Sequence, residues 1–501
     1  MRGKSKWSFL VAILLVMSMF LAACSGGDDS ANGGDKEGSS GDAKKELADK
    51  QELNFASSAD LPTLDSVQAT DATSFDAIQA ITSGLYTYYN NKSQPDLAEG
   101  DPQVSEDGKT YTFKIRDDAK WSNGDPVTAN DFVYAWRKLV DPDVGSQYAY
   151  IMPAAHIVNA EEIQNPDSDL YKKEDQLGVK AVDDKTLEVK LTKATPYFTS
   201  MMAFPSFFPQ NEKFVESKGD KYALSADSIL SNGPYKLSSW EPGKGWTFEK
   251  NPDYWDAKNI TIDKVNFTIV KDLNTRVNMY NTDEIQAVGL AQDFVDQYKD
   301  SDEYSEYLTN GTAYFKLNMN KVPEFKDVRV RKAIAEVMDV ESYIKQIRKD
   351  ASIPATFWVP KDFAYGPDGK DFRETAPESY YKYDVEDAKK LWNEYKEEKG
   401  IKSVTWEFMT TDSPLAKTIA EYWANQLQQL DGVKIKINQQ PWNNYLTLES
   451  KGQFEIGGGA SWGPDYQDPM TFLDMWTKGN PNNTGGYDNP EYDKLIKEAD
   501  N

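Results

Sequence analysis

Among 501 residues there is one cysteine, Cys24, and one histidine, His156. Those two counts remove much of the chemistry that side chains perform. A Cys nucleophile, a Cys-ligated zinc and a disulfide would all compete for a single sulfur. Ser-His-Asp hydrolysis or an imidazole metal site would rest wholly on His156, in "MPAAHIVNAEEI", where no partner constellation is visible. The run Gly457–Gly459 is not followed by Gly-Lys-Ser/Thr, so it cradles no phosphate. What the chain has in quantity is carboxylate, 81 Asp and Glu. Two uses suit that supply: a carboxylate pair hydrolysing a glycoside in an aromatic cleft, or a carboxylate set to meet a cation. The stretch "GGGASWGPDYQDP" (457–469) fits the second use. Small residues let a ligand backbone come close because Gly adds no Cβ, and Asp465 supplies charge. On spacing alone, Asp465 serves equally well as a helix cap for "PMTFLDMW".

Cys24 has a different setting. Arg2, Lys4 and Lys6 precede an apolar run from Trp7 to Ala23, closed by small residues. That is the pattern of a secretory signal peptide, 1–23, and it is short for a membrane span. Leu21-Ala22-Ala23-Cys24 also resembles the lipobox of bacterial lipoproteins, which implies cleavage before Cys24 and acylation of its sulfur. Residues 24–50 then form a lipidated tether, since "SGGDDSANGGDKEGSSGDAKKELADK" has almost nothing apolar to bury. A Gly/Ser-rich coil of this length spans roughly 28 Å. The net charge of −25 argues against nucleic acid, which needs basic patches, and against the body lying on anionic lipid.

The body reads as an α/β or α+β assembly of more than one lobe. Period-two alternation predicts strands at 110–117, 186–193 and 265–272, and "VKIKINQQ" forms another at 433–440. Helical spacing marks 128–140, 327–347, 384–400 and 414–430, the last stopped by Asp431-Gly432. "TSFD" (73–76) reads as a capping box opening a further helix, which leaves Ala69 to Ala72 as loop.

Four blocks in order carry a resemblance: "VSEDGKTYTFKIRDDAKWSNGDPVTANDFVYAWRKL" (104–139), "SNGPYKLSSWEPGKGWTFEKNPDYWDAKN" (231–259), "DVRVRKAIAEVMD" (327–339) and "ASWGPDYQDPMTFLDMW" (460–476). They are similar to the oligopeptide-binding lipoproteins of ABC importers, the family 5 extracellular solute-binding proteins, of Gram-positive type. The resemblance implies an α/β, two-lobed periplasmic-binding-protein fold with an inserted domain and hinge closure. Lobe 1 would take 51–82 and 206–305, the insert 83–205, and lobe 2 residues 306–501. The family's C-terminal return to lobe 1 is expected beyond the helix at 491–501.

The resemblance also implies function. The protein would capture oligopeptides and deliver them to permease subunits and their ATPases. It would act as a monomer with no catalysis, cofactor or metal, anchored by lipid on the outer face of the cell membrane. By the family's motif Asp465 meets the peptide α-ammonium, Ser461 and Gly463 offer main-chain groups, and Trp462 lines the cleft. Ala69, Thr70, Asp71 and Ala72 face them from the other lobe. Arg348 aligns where some relatives hold the peptide carboxylate, although it is also placed to cap its helix. The chain departs from Gram-negative relatives at Gly459, where they carry an arginine, and at Gly463, where they carry a disulfide cysteine. Related scaffolds bind signalling peptides, sugars or metal complexes, so fold alone does not choose the solute. A secreted carboxylate-pair hydrolase is the alternative of another class.

Overall fold

Strands from distant parts of the chain assemble into separate sheets. The computed structural model describes residues 47–89, 92–375, 379 and 382–500. Cys24, the signal segment and most of the tether lie outside the described residues. In the first sheet β1 (Glu52–Ser57) runs parallel to β10 (Lys264–Ile269). Antiparallel β9 (Gly245–Lys250) and β8 (Tyr235–Glu241) extend it. A strand and its partner 200 residues away are brought together by apolar faces, with Phe55 opposite Phe267. A second sheet has the order β4 (Gln103–Val104), β5 (Thr110–Lys114), β7 (Thr186–Lys190), β6 (Val179–Asp183). A hairpin pairs β2 (Tyr86–Tyr89) with β3 (Lys92–Pro95).

The third sheet positions the candidate site. Its order is β11 (Thr312–Leu317), β14 (Ile456–Trp462), β12 (Val404–Thr411), β13 (Val433–Gln440). Strands β12 and β13 are parallel, and the crossover between them is the helix Pro414–Leu427. Pairing between β12 and β14 is brief, Phe408 with Ile456 and Met409 with Gly457, whereas β11 follows β14 as far as Trp462. Beyond Gly457 that edge of β14 has no strand partner among the described residues.

The helices show where local pattern held and where it failed. Helix α1 (Ala72–Ile81) is capped by Asp71, whose Oδ1 accepts from the Ser74 N–H at 3.1 Å. The cap is therefore Asp71 and not Thr73, because the Asp carboxylate reaches the N3 amide first. Helices α2 (Ala129–Val140), α4 (Val385–Lys399) and α5 (Pro414–Leu427) match their predicted spans within a few residues. The pattern over 327–347 breaks: α3 (Val328–Glu336) ends, and Asp339 accepts from the Ser342 N–H at 2.8 Å to start a separate turn, Val340–Tyr343. An Asp side chain competing for backbone donors interrupts what periodicity reads as continuous. Helices α6 (Trp442–Ser450) and α7 (Pro490–Asp500) follow.

Residues Lys50–Asn501 form one compact unit. Trp392, Trp406, Phe408 and Trp423 fill the core between the third sheet and α3, α4 and α5. Trp462, Tyr466, Phe472 and Met475 leave that core. They join the one built by Phe113, Trp136 and Phe198 beneath the second sheet. The segment after β14 thus crosses from one core to another.

Candidate functional site

Asp465 sits on that crossing segment, 5% exposed. Its backbone N–H donates to Thr471 Oγ1 at 2.9 Å. Its carboxylate is met from the far side: the Tyr150 hydroxyl donates to Oδ2, and the Tyr148 hydroxyl to Oδ1 at 3.5 Å. The turn at Met470–Leu473 has Pro469 at its N-cap with no side-chain cap, and Asp468 just before it accepts from the Met470 N–H at 2.9 Å. Asp465 is thereby left out of helix capping. Burial pushes its carboxyl up to about 7, against the pull of the two tyrosyl donors. Asp474 is pushed up to about 8 by burial and by the charge of Asp465, with Tyr466 donating to it at 3.3 Å. Asp465 and Asp474 have no ion-pair partner among the described residues. The buried cation of β11, Lys316, is committed to Glu449 and to the Asn482 carbonyl at 3.0 Å.

The surrounding wall is aromatic. Trp462 donates from Nε1 to the Thr471 carbonyl at 2.8 Å, and its ring lies parallel to Tyr148 at 6.4 Å. Tyr466 stacks on Tyr197 at 5.1 Å, and Phe75 of α1 meets Tyr148 edge-on at 5.3 Å. Tyr148 and Tyr150 escaped the sequence reading. The period-two "YAY" in "SQYAYIM" was their signal, but nothing local tells which partner such phenols face.

Along β14, Gly459, Ser461 and Gly463 are exposed while Trp462 is buried. The glycines divide by role. A Cβ on Gly458 would stand 2.1 Å from the Phe408 ring, and one on Gly459 3.2 Å from Tyr445; at Gly463 nothing lies within 4 Å. Gly458 and Gly459 therefore serve the protein's own packing, and Gly463 is the open position. The expectation that the whole glycine run admits a ligand backbone is corrected accordingly.

The facing segment is also more structured than a free loop. Ala69 is fully buried in the core around Leu61 and Ile78, and Asp71 is 5% exposed, capping α1 and accepting from Trp442 Nε1 at 3.4 Å. Ala69 packs inward because the chain turns there into the helix. Thr70 and Ala72 stay accessible. Arg348 lies apart. Its guanidinium is held by Asp350 at 2.6 Å, and its carbonyl accepts from the Gln292 N–H at 2.8 Å.

A family model described as bacterial extracellular solute-binding proteins, family 5 Middle, matches residues 92–484. The chain belongs to that family. Among family 5 proteins it is 33% identical to the dipeptide-binding protein DppE of Bacillus subtilis, over 100% of this chain and 89% of that protein. Listeria monocytogenes OppA bound to peptide is 38% identical with a TM-score of 0.85, covering 90% of this chain and 88% of that one. The Escherichia coli murein tripeptide binding protein MppA, 28% identical, has a TM-score of 0.77 over 91% and 87% of the two chains. An unliganded open form of MppA, over 91% and 86%, falls to 0.54. The fold is the two-lobed family 5 fold. Lys271 and Asp412 pair at 2.7 Å, and Trp442 donates to Asp71, each contact joining residues far apart in the chain.

Proposed function

We propose that this protein is an extracytoplasmic receptor that captures oligopeptides between two closing lobes and hands them to an ABC permease. The observation that carries this reading is Asp465, buried with no cation beside it among the described residues and enclosed by tyrosines, just beyond the end of β14. A peptide supplies what that arrangement lacks: an ammonium for the carboxylate and extended backbone for the edge of β14. Ser461 and Gly463 would take backbone groups, Trp462 would wall the cleft, and Thr70 and Ala72 would face them. Arg348 remains the proposed receiver of a peptide carboxylate, and it would have to share Asp350.

The proposed domains are 51–82 with 206–305, 83–205, and 306–501. They are supported by every sheet falling inside one of these segments. The receptor would act as a monomer held to the membrane by lipid on Cys24. Replacing Cys24 by Ser should release it into the medium, and retention at the membrane would refute the anchor. Among the described residues no helix is long and apolar enough to cross a membrane.

The hydrolase alternative needs one carboxyl ionised and its partner protonated at working pH. Asp465 and Asp474 are both shifted upward, which does not divide the roles. The deciding experiment is calorimetry of the soluble body with a free-amine peptide and its N-acetylated form, for the natural protein and Asp465→Ala. Binding of the free amine alone, lost in the variant, supports the reading. Equal binding of the acetylated form, or none of either, would sink it.

A further inference from the structure

Three Asn-Gly pairs occur among the described residues, at 123–124, 232–233 and 310–311. In each, glycine brings no Cβ to hinder attack by its amide nitrogen on the preceding side-chain carbonyl. The folded chain restrains two of the three. At the first, the Gly124 N–H donates to the Trp121 carbonyl at 2.8 Å, and Asn123 Nδ2 donates to Asp125 Oδ2 at 2.7 Å. Asn123 Oδ1 accepts from the Asp125 N–H at 3.1 Å. At the second, the Gly233 N–H donates to the Ile81 carbonyl at 3.0 Å. Its asparagine, Asn232, is buried, accepting from the Ser83 N–H at 2.9 Å and donating to the Ser83 carbonyl at 3.4 Å.

The third pair is untied. Asn310 and Gly311 are both exposed, and neither the Asn310 side chain nor the Gly311 N–H has a hydrogen-bond partner among the described residues. Exposure does not make the difference, because Asn123 and Gly124 are exposed too. What separates the pairs is whether nucleophile and electrophile are held by other groups. Asn310–Gly311 also leads directly into β11. Thr312 pairs with Trp462, and its hydroxyl donates to the Trp358 carbonyl at 3.0 Å. Gly311 stands against that ladder, since a Cβ there would lie 3.4 Å from the Trp462 carbonyl oxygen.

We propose that Asn310 is a self-modification site, where the folded protein loses ammonia and gains a carboxylate at the head of β11. The Gly311 amide nitrogen gives its proton to solvent hydroxide and bonds to Asn310 Cγ. The Cγ–Nδ2 bond breaks, and that nitrogen leaves as ammonia. Water then opens the cyclic imide at one of its two carbonyls, with no oxidant or reductant involved. One opening leaves aspartate. The other leaves isoaspartate, whose main chain runs through Cβ and Cγ and is longer by a methylene. That extra length falls just ahead of the Thr312–Trp462 pair, and Trp462 lies shortly before Asp465 in the chain. On the peptide-capture reading, conversion therefore weakens the hold on a peptide.

The test ages the natural protein and Asn310→Gln at pH 8, folded and in urea, and follows each Asn-Gly segment by mass spectrometry after digestion. In the folded natural protein the 310–311 segment should gain ~1 Da about tenfold faster than the other two, which must first break hydrogen bonds. In urea the three rates should converge, since the dipeptide is the same. Equal rates in the folded protein, or a slower 310–311 segment, would overturn the proposal. Calorimetry with a free-amine peptide gives the second readout. Aged natural protein should bind about threefold more weakly than fresh, as for one lost hydrogen bond, and aged Asn310→Gln should bind like fresh. Unchanged affinity after conversion would overturn the link to the site. If fresh protein binds no peptide, the capture reading fails, and the mass readout still decides the modification.

Discussion

At the scale of single residues, the balance of desolvation and pairing decides the behaviour of Asp465. Burial lifts its carboxyl to about 7, so without a counter-charge it takes up a proton as the pH falls through that value. A bound ammonium favours the ionised form. Affinity for a free-amine peptide should therefore weaken below pH 7, approaching tenfold per unit, and hold steady from 7 toward 8, where the peptide amine itself begins to deprotonate. Calorimetry from pH 5 to 8 checks this, and a flat profile would contradict it. Asp465→Asn should lose a hundredfold or more in affinity, as breaking a buried charge pair costs about 3–5 kcal/mol. Asp474 adds a stability signature. Its folded value of about 8 lies above its unfolded value near 4, so its contribution is complete below pH 4 and is lost as the pH rises through 8. The ligand-free thermal midpoint should fall over that window, less steeply in Asp474→Asn.

At the scale of elements, β14 is the piece on which the site depends. It is held along one side by β11 and touched briefly by β12 on the other, and its glycines are shaped by neighbours from other parts of the chain. Gly458→Ala would drive a Cβ into the Phe408 ring and should destabilise the protein by ~1–3 kcal/mol in urea unfolding. Gly463→Ala meets open space and should stay within ~0.5 kcal/mol. Equal effects would mean that the division between packing and open positions is wrong. Strand alternation made β5, β7, β10 and β13 legible, because each pairs with one face in a core. The broken helix at 337–339 was not legible, since Asp339 keeps the helical spacing while its side chain takes the backbone donor.

At the scale of the whole molecule, folding brings together groups that lie far apart in the chain. The exposed bridge Lys271–Asp412 is of a kind that contributes about 1 kcal/mol or less. Lys271→Ala should thus change peptide affinity by less than about fivefold, far below the effect of Asp465→Asn. If the bridge mattered as much as the carboxylate, closure would be governed by the rim and not by the buried charge. Ligand should also contract the molecule in solution scattering, because empty lobes are free to part.

The sequence by itself determined the signal pattern, the single thiol and its place, the single histidine, and the strands and helices whose periodicity survives packing. It also brought Asp465 forward as a carboxylate in a small-residue setting, which is a statement about residue type. Tertiary structure alone decided that Tyr148 and Tyr150 donate to Asp465, that Ala69 is core, and that Asp71 faces Trp442. The tyrosine and tryptophan contacts depend on residues more than 300 positions apart meeting. Local propensity carries no information about such meetings, because the energy that selects them comes from burying one lobe's surface against the other.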